Sequence, residues 1–243
     1  MANLPNRSFT PVVHVENEKQ GLRNAETALT RGGHGVWLIS HDHLDARELL
    51  GVVRAVRNRF RAAWIGVNFL DVGDPADGFA LLGAAARGGT AVDGYWVDNP
   101  RIAGANPGES GQDEIAAARR ESGWKGAYYA GVAFKEQDQP ADIPAAVRAA
   151  RPYADVLVTS GPGTGIPATL EKVRSVVGAA AGRPVGLASG VDEKNLAGYA
   201  RAGVARFLVA TSLSVTDASG NRDDANLDPE KVARMRRLLD AAG

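Results

Sequence analysis

Cysteine is absent from the 243 residues. The chain therefore has no disulfide, no thiolate nucleophile and no cysteine-ligated zinc, a composition that fits a reducing compartment. A net charge of either sign is missing as well, since 28 Lys and Arg stand against 28 Asp and Glu. A general nucleic-acid binder carries a basic excess to neutralise phosphates, so the balance argues against one while leaving local anion binding open. No stretch approaches the roughly 18 uninterrupted apolar residues of a membrane span, and the opening MANLPNRSFT has no apolar signal core. The expectation is a cytoplasmic protein that binds neither membrane nor nucleic acid.

What is present is a rhythm. Short runs rich in Val, Ile, Leu and aromatics alternate with longer amphipathic stretches along the whole chain, the signature of βα units. Strands are expected at 9–15, 35–39, 62–69, 94–97, 127–134, 156–159, 185–188 and 207–210. Helices are expected at 19–31, 45–60, 75–87, 112–122, 143–150, 169–181, 193–202 and 229–242. In the second helix Leu49, Val53 and Val56 form an apolar stripe at helical spacing. Asp74 before Pro75 is a good N-cap for the third. Eight strands alternating with eight helices at about 30 residues per unit predict an α/β protein, a single (β/α)8 barrel over residues 1–243. A doubly wound open sheet is the alternative, but the first βα turn reads HVENEKQG and lacks the glycine fingerprint that such sheets often carry there.

In a barrel the reactive groups lie where strands end and βα loops begin. Those junctions carry His14, Glu16 and Asn17; Ser40, His41, Asp42 and His43; Asn68 and Asp71; Asp98 and Asn99; Lys135; Thr159 and Ser160; Ser189; and Thr211 and Ser212. Polar residues at such places also satisfy loop backbone or cap helices, so each alone says little. Three loops say more together: Ser160-Gly-Pro-Gly-Thr-Gly165 after the sixth strand, Ala188-Ser-Gly-Val191 after the seventh and Ala210-Thr-Ser-Leu-Ser214 after the eighth. Glycines let backbone N–H groups approach an anion, hydroxyls add donors, and phosphate sites recur at the last two barrel strands. The expected phosphate site is Gly161, Gly163, Thr164, Gly165, Ser189, Gly190, Thr211 and Ser212.

Three of the four histidines, His14, His41 and His43, sit at the ends of the first two strands. Period-two alternation puts His14 and Glu16 on one face if the first strand runs that far. A divalent metal could use such ligands. General polarity of a barrel rim explains the grouping as well, so no metal and no cofactor is assigned, and acid/base work by histidine is preferred. Lys135 ends the fifth strand, where a long cation can reach over the mouth. It could clamp an anionic substrate or, if desolvated, act as a base or Schiff-base amine. Asp98 could pair with Lys135 or orient a hydroxyl, and Asn68 would supply neutral hydrogen bonds. Trp37, Trp64, Tyr95, Trp96, Tyr128 and Tyr129 are read mainly as packing.

The segments VVHV at 12–15, GVNFL at 66–70, VAFK at 132–135, SGPGTG at 160–165, LASGV at 187–191 and VATSLSV at 209–215 resemble, in that order, the BtpA family of photosystem I biogenesis protein-like barrels. NRDDANLDPEKV at 221–232 is similar to that family's ending, an Asn/Asp-rich loop before the last helix. The resemblance spans nearly the whole chain and implies a phosphate-binding barrel, with His14, Asn68, Lys135, Gly163, Thr164, Gly165, Ser189, Gly190, Thr211 and Ser212 at the matching rim positions. The chain departs from the family pattern at residues 16–20, which replace a Pro/Gly-rich loop, and at Ser40-His-Asp-His43. The family resembles both an assembly factor and enzymes of sugar or nucleoside metabolism.

The expectation is an enzyme acting on a small phosphorylated metabolite: a sugar phosphate, nucleotide or ribosyl phosphate. His14, Asp98 and Lys135 would move protons and stabilise charge, with Glu16 and His41 in reserve and Asn68 orienting the substrate. Isomerase, lyase and glycosyl or phosphoribosyl transfer chemistry all fit these groups. The alternatives are a non-catalytic accessory barrel with a residual phosphate pocket and a metal-dependent hydrolase using His14, Glu16, His41 and His43. Ala-rich helices around 114–120 and 145–150 offer small-residue faces for a homo-oligomer.

Overall fold

A computed structural model describes residues 3–40, 43–104, 111–135 and 137–242. The elements run β1 (Ser8–His14), α1 (Glu18–Thr30), β2 (Val36–Ser40), α2 (Ala46–Arg59), β3 (Ile65–Phe69), α3 (Pro75–Arg87), β4 (Gly94–Val97), α4 (Gln112–Ser122), β5 (Ala127–Gly131), α5 (Ile143–Ala150), β6 (Val156–Ser160), α6 (Leu170–Ala180), β7 (Val185–Ala188), α7 (Leu196–Arg201), β8 (Arg206–Val209), β9 (Ser214–Thr216), β10 (Arg222–Leu227) and α8 (Pro229–Ala241). Strands β1 to β8 close into one parallel barrel, with β1 pairing both β2 and β8. The alternation read from the sequence is thus a (β/α)8 barrel.

Local chemistry starts the helices. Asp45 caps α2 in a reciprocal box with Glu48, Asp74 and Asp228 cap α3 and α8 ahead of a proline, and Thr169 caps α6. Side chains on each strand alternate between two cores. Val13, Leu38, Tyr95 and Tyr128 face the helices, whereas their neighbours Val12, Trp37, Trp96 and Tyr129 face the barrel axis. Trp37 is the hub of the inner core, with ring centroids 4.8 Å from Trp64, 5.9 Å from Trp96 and 4.8 Å from Tyr129. Gly66 makes room for it: a Cβ there would lie 2.3 Å from the Trp37 ring. The aromatics expected to pack do so on both sides of the sheet.

A repeated device pins the amino-terminal rim. Asp93, just before β4, accepts from the Ile65 N–H at the start of β3 and pairs with Arg57 of α2. Asp155, just before β6, accepts from the Tyr128 N–H of β5 and pairs with Arg119 of α4. Arginine and aspartate are 36 residues apart in both cases, so the same joint recurs two βα units later. At the first pair of strands His34 takes the aspartate's place, its Nδ1 accepting from the Phe9 N–H at 3.1 Å.

Several boundaries move from their sequence positions for visible reasons. The third strand starts at Ile65 rather than 62, because Ala63 N–H closes a turn onto Phe60 and the Ala63 carbonyl accepts from Arg57. The fifth stops at Gly131 rather than 134, because Ala133 takes a left-handed φ of 47°. The last helix of the seventh unit starts at Leu196, after Asp192 has folded the chain into a turn by accepting from the N–H groups of Lys194 and Asn195. The charged stretch after β8, expected as a loop, instead forms the antiparallel hairpin of β9 and β10.

Candidate functional site at the barrel mouth

The carboxyl ends of the strands surround a cavity of about 620 Å³. Strand parity delivers its lining: the inward residues Val12 and His14 of β1, Ile39 of β2, Asn68 of β3 and Trp96 of β4 are each the last or nearly the last of their series. Asp98 and Lys135 follow from the β4 and β5 ends. Thr164, Gly165, Ser189, Gly190, Thr211 and Ser212 complete the opposite wall. The two halves differ in character. The β1–β4 side is apolar apart from His14 and one polar pair, in which buried Asn68 donates Nδ2–H to Asp98 Oδ1 at 3.1 Å. The β6–β8 side combines hydroxyls, glycines and main chain with the apolar Ala188, Val191, Leu208, Val209 and Ala210 and with Asp192.

The three late loops are tied to one another. Lys135 Nζ donates to Thr164 Oγ1 at 2.7 Å, and Lys135 N–H donates to Ser160 Oγ at 2.6 Å, so the β5 and β6 loops share both a cation and a hydroxyl. Ser212 Oγ donates to the Val191 carbonyl at 2.7 Å and joins the β8 loop to the β7 loop. Gly190 has a φ of +64°, and a Cβ there would lie 2.3 Å from Pro167 N, so only glycine lets the β7 loop seat against the β6 loop. The N–H groups of Gly165, Gly190 and Thr211 enter none of the loop main-chain hydrogen bonds among the described residues. A concave wall with such donors is suited to an oxyanion.

Sequence reasoning missed three contributors. Arg222, on the hairpin, lines the cavity and brings a second cation to the mouth. Asp224 accepts from Arg222 and from Ser214 Oγ; burial opposes its ionisation, but those hydrogen bonds and the charges of Arg222 and His14 outweigh it and hold the carboxyl below its ordinary range. Lys172, in the first turn of α6, sends Nζ–H to the carbonyls of Ala133 and Ser160, at 2.5 and 2.9 Å, and burial pushes its pKa down. It stands behind the cavity wall and fastens the β5 and β6 ends together. Charge within 221–232 was the available signal for Arg222, whereas nothing in the sequence marks Lys172 among the other helix lysines.

Some expected residues lie elsewhere. β1 ends at His14, Val15 is buried and Glu16 is exposed, its N–H bound to Gln20 Oε1 at the start of α1, so Glu16 does not line the cavity. Gly161 and Gly163 shape the β6 loop rather than its cavity face; a Cβ on Gly161 would lie 1.9 Å from the Ile166 carbonyl oxygen. His43 is exposed and outside the cavity lining. His41 and Asp42 lie outside the described residues. Among the described residues no group of three or more His, Asp or Glu side chains is placed to hold a metal ion, and no helix is long and apolar enough to cross a membrane.

No protein-family model matches the sequence, and no curated protein matches it. Solved structures do match. A mutant tryptophan synthase alpha-subunit from the hyperthermophile Pyrococcus furiosus superposes with a TM-score of 0.69 at 15% identity, over 98% of this chain and 100% of the other. The thiamine phosphate pyrophosphorylase of Pyrococcus furiosus gives 0.64 at 16% identity, over 98% of both chains. Phosphoribosyl anthranilate isomerase from Thermus thermophilus gives 0.66 at 15% identity, over 96% of this chain and 98% of that one. The likeness is one of fold: the chain shares the closed (β/α)8 barrel with these proteins over nearly its full length.

Proposed function

We propose that this chain is an enzyme that binds a small phosphorylated metabolite in the barrel mouth, its phosphate on the β6–β8 side. The observation that carries the reading is the interlocking of the Thr164-Gly165, Ser189-Gly190 and Thr211-Ser212 loops around one wall, with Lys135 and Arg222 beside it. Main-chain donors and two cations on a preformed concave surface match a phosphate's spread of acceptor oxygens. Two structural neighbours, thiamine phosphate pyrophosphorylase and phosphoribosyl anthranilate isomerase, are named for phosphorylated compounds, which supports a phosphorylated substrate.

The rest of the substrate then extends toward the β1–β4 side. There Asp98 is the acid/base group, turned by the Asn68 amide, and His14 is the second proton carrier, with the Asp224 carboxylate in its field. Lys135 stands between phosphate and reacting centre and stabilises negative charge that develops there. Sugar phosphates, nucleotides and ribosyl phosphates fit the cavity's division, and isomerisation, lyase and glycosyl or phosphoribosyl transfer steps all use these groups. The reading treats residues 1–243 as one functional unit, and the cysteine-free composition supports a cytoplasmic location.

The test is calorimetric titration with inorganic phosphate and a panel of phosphorylated metabolites, with turnover measured in parallel. Lys135→Ala should weaken phosphate binding at least about tenfold, since a charge-assisted contact contributes about 1.5–3 kcal/mol. Asn68→Ala should cost less, and Asp98→Asn should abolish turnover while binding persists. Indifference of both binding and turnover to Lys135→Ala would sink the assignment. The strand-end segments that resemble BtpA proteins support placing the chain beside that family. A non-catalytic accessory barrel of that kind would keep phosphate binding yet retain cellular function after substitution of His14 and Asp98.

A further inference from the structure

A (β/α)8 barrel closes without the β9–β10 hairpin, so the hairpin's place at the mouth calls for its own explanation. Its ladder is interrupted. Arg222 pairs with Thr216 and Asp223 with Val215, but Ser214, the next residue along β9, pairs with Leu227, so residues 224–226 bulge out of register. Bulges bend a strand and re-aim its side chains, and they recur beside active sites. This one is held from several directions. Gln20 and Asn24, both buried on α1, donate their amides to the Ala225 carbonyl, and Asn24 Oδ1 accepts the Leu227 N–H at 2.9 Å. From α8, Lys231 Nζ donates to the Ser214 carbonyl at 2.8 Å and to Thr216 Oγ1 at 2.9 Å.

What this frame carries is Arg222 and Asp224, two residues apart and hence on one face of β10. Asp224 Oδ1 accepts from Ser214 Oγ at 2.7 Å and from Arg222 Nε at 2.5 Å. The bond to Nε fixes the direction of the guanidinium plane while leaving its other edge open: Nη1 and Nη2 make no hydrogen bond among the described residues. Arg222 lines the mouth together with Thr211 and Ser212 of the anion-binding wall. The two side chains are 48% and 51% exposed, and an ion pair so exposed adds little to folding, so stability does not account for it.

We propose that Asp224 is a positioning residue of the phosphate site, aiming the two terminal nitrogens of Arg222 at oxygens of the phosphate on the β6–β8 wall. The hairpin follows β8 and packs on β1, whereas Lys135 leaves β5, four strands away around the closed sheet, so the two cations approach from different edges. They also act differently: a guanidinium takes two oxygens in a planar fork, which an ammonium group cannot do. This role rests on the phosphate reading of the mouth given above.

The probe is inorganic phosphate, titrated into the full chain by calorimetry in low salt, where surface charge acts most strongly. Arg222→Met should weaken binding about tenfold or more, and Arg222→Lys, which keeps the charge but not the fork, should restore only part of the loss. The sign of the Asp224→Ala effect is decisive. Removing a negative charge beside an anion site tightens binding by electrostatics alone, whereas loss of the group that aims Arg222 should weaken it by about three- to tenfold. Asp224→Asn keeps an acceptor for Nε and should recover most of the affinity. In an Arg222→Met background Asp224→Ala should weaken binding no further, and its melting temperature should stay within about 4 °C of the parent's. Unchanged or tighter binding by Asp224→Ala overturns the proposal, as does an equal loss in the Arg222→Met background, which would mark a general structural role. If the wild type binds phosphate and Lys135→Ala weakens it while Arg222→Met does not, this role alone fails. A wild type that binds no phosphate overturns both the phosphate site and this role.

Discussion

His34 holds the Phe9 N–H through Nδ1, and an imidazole nitrogen can accept only while it carries no proton. Burial, reinforced by the charge of Arg236, keeps its pKa below the ordinary 6.5, against an opposing pull from Asp240. The unfolded chain therefore takes up this proton first, so stability is complete above about pH 6.5 and declines as the pH falls toward the folded-state value. Thermal melts between pH 7 and 5 should show that decline. His34→Asn, which keeps an acceptor but does not titrate, should flatten it, and an unchanged slope would remove His34 from the account. Gly66 is the opposite kind of residue, defined by what it leaves empty. A methyl there meets the fully buried Trp37 ring at 2.3 Å, so Gly66→Ala should cost about 1–3 kcal/mol in denaturant unfolding, as overpacked cores do.

At the scale of elements, the pins at the amino-terminal rim rank themselves by burial. The side chains of Arg57 and Asp93 are 15% and 1% exposed, whereas those of Arg119 and Asp155 are 28% and 41% exposed. Removing one partner from a buried pair strands the other, at about 3–5 kcal/mol, while an exposed pair contributes at most about 1. Asp93→Ala should therefore destabilise far more than Asp155→Ala, whose main loss is the acceptor for Tyr128 N–H, about 1–2 kcal/mol. Equal losses in chemical denaturation would contradict this ordering. The carboxyl ends of β5 and β6 are held differently, by Lys172 from α6. Lys172→Met keeps the aliphatic stem but frees the two carbonyls. Phosphate affinity should fall by about three- to tenfold with Lys135 and Thr164 intact, for the cost of one or two lost hydrogen bonds. Unaltered affinity would show that the loops hold without it.

For the molecule as a whole, the barrel was legible because its causes are local and periodic. Apolar alternation on Val12-Val13, Trp37-Leu38, Tyr95-Trp96 and Tyr128-Tyr129 sorts side chains between two cores, and Asp45, Asp74 and Thr169 start helices from their own neighbourhoods. The mouth was partly legible. His14, Asn68, Asp98, Lys135, Thr164, Gly165, Ser189, Gly190, Thr211 and Ser212 do meet at one cavity, since the topology carries every strand end to the same rim. Glu16 was misplaced because where a strand stops depends on helix α1 reaching back through Gln20, which no alternation pattern encodes. Arg222 and Asp224 were hidden in what looked like a polar loop, because a short charged hairpin is fixed by pairing with Ser214–Thr216 rather than by its own propensity.

By itself, then, the sequence determined the order of elements, their inward and outward faces and the set of strand-end groups, all consequences of chain stereochemistry and hydrophobic period. The tertiary structure decided which of those groups share a cavity, that Asn68 turns toward Asp98 and Lys135 toward Thr164, and that the hairpin brings Arg222 to the mouth. These are distances between residues tens or hundreds of positions apart. They are set by closure of the barrel and by how helices of unequal length and side-chain bulk settle around it, and no local pattern carries that information.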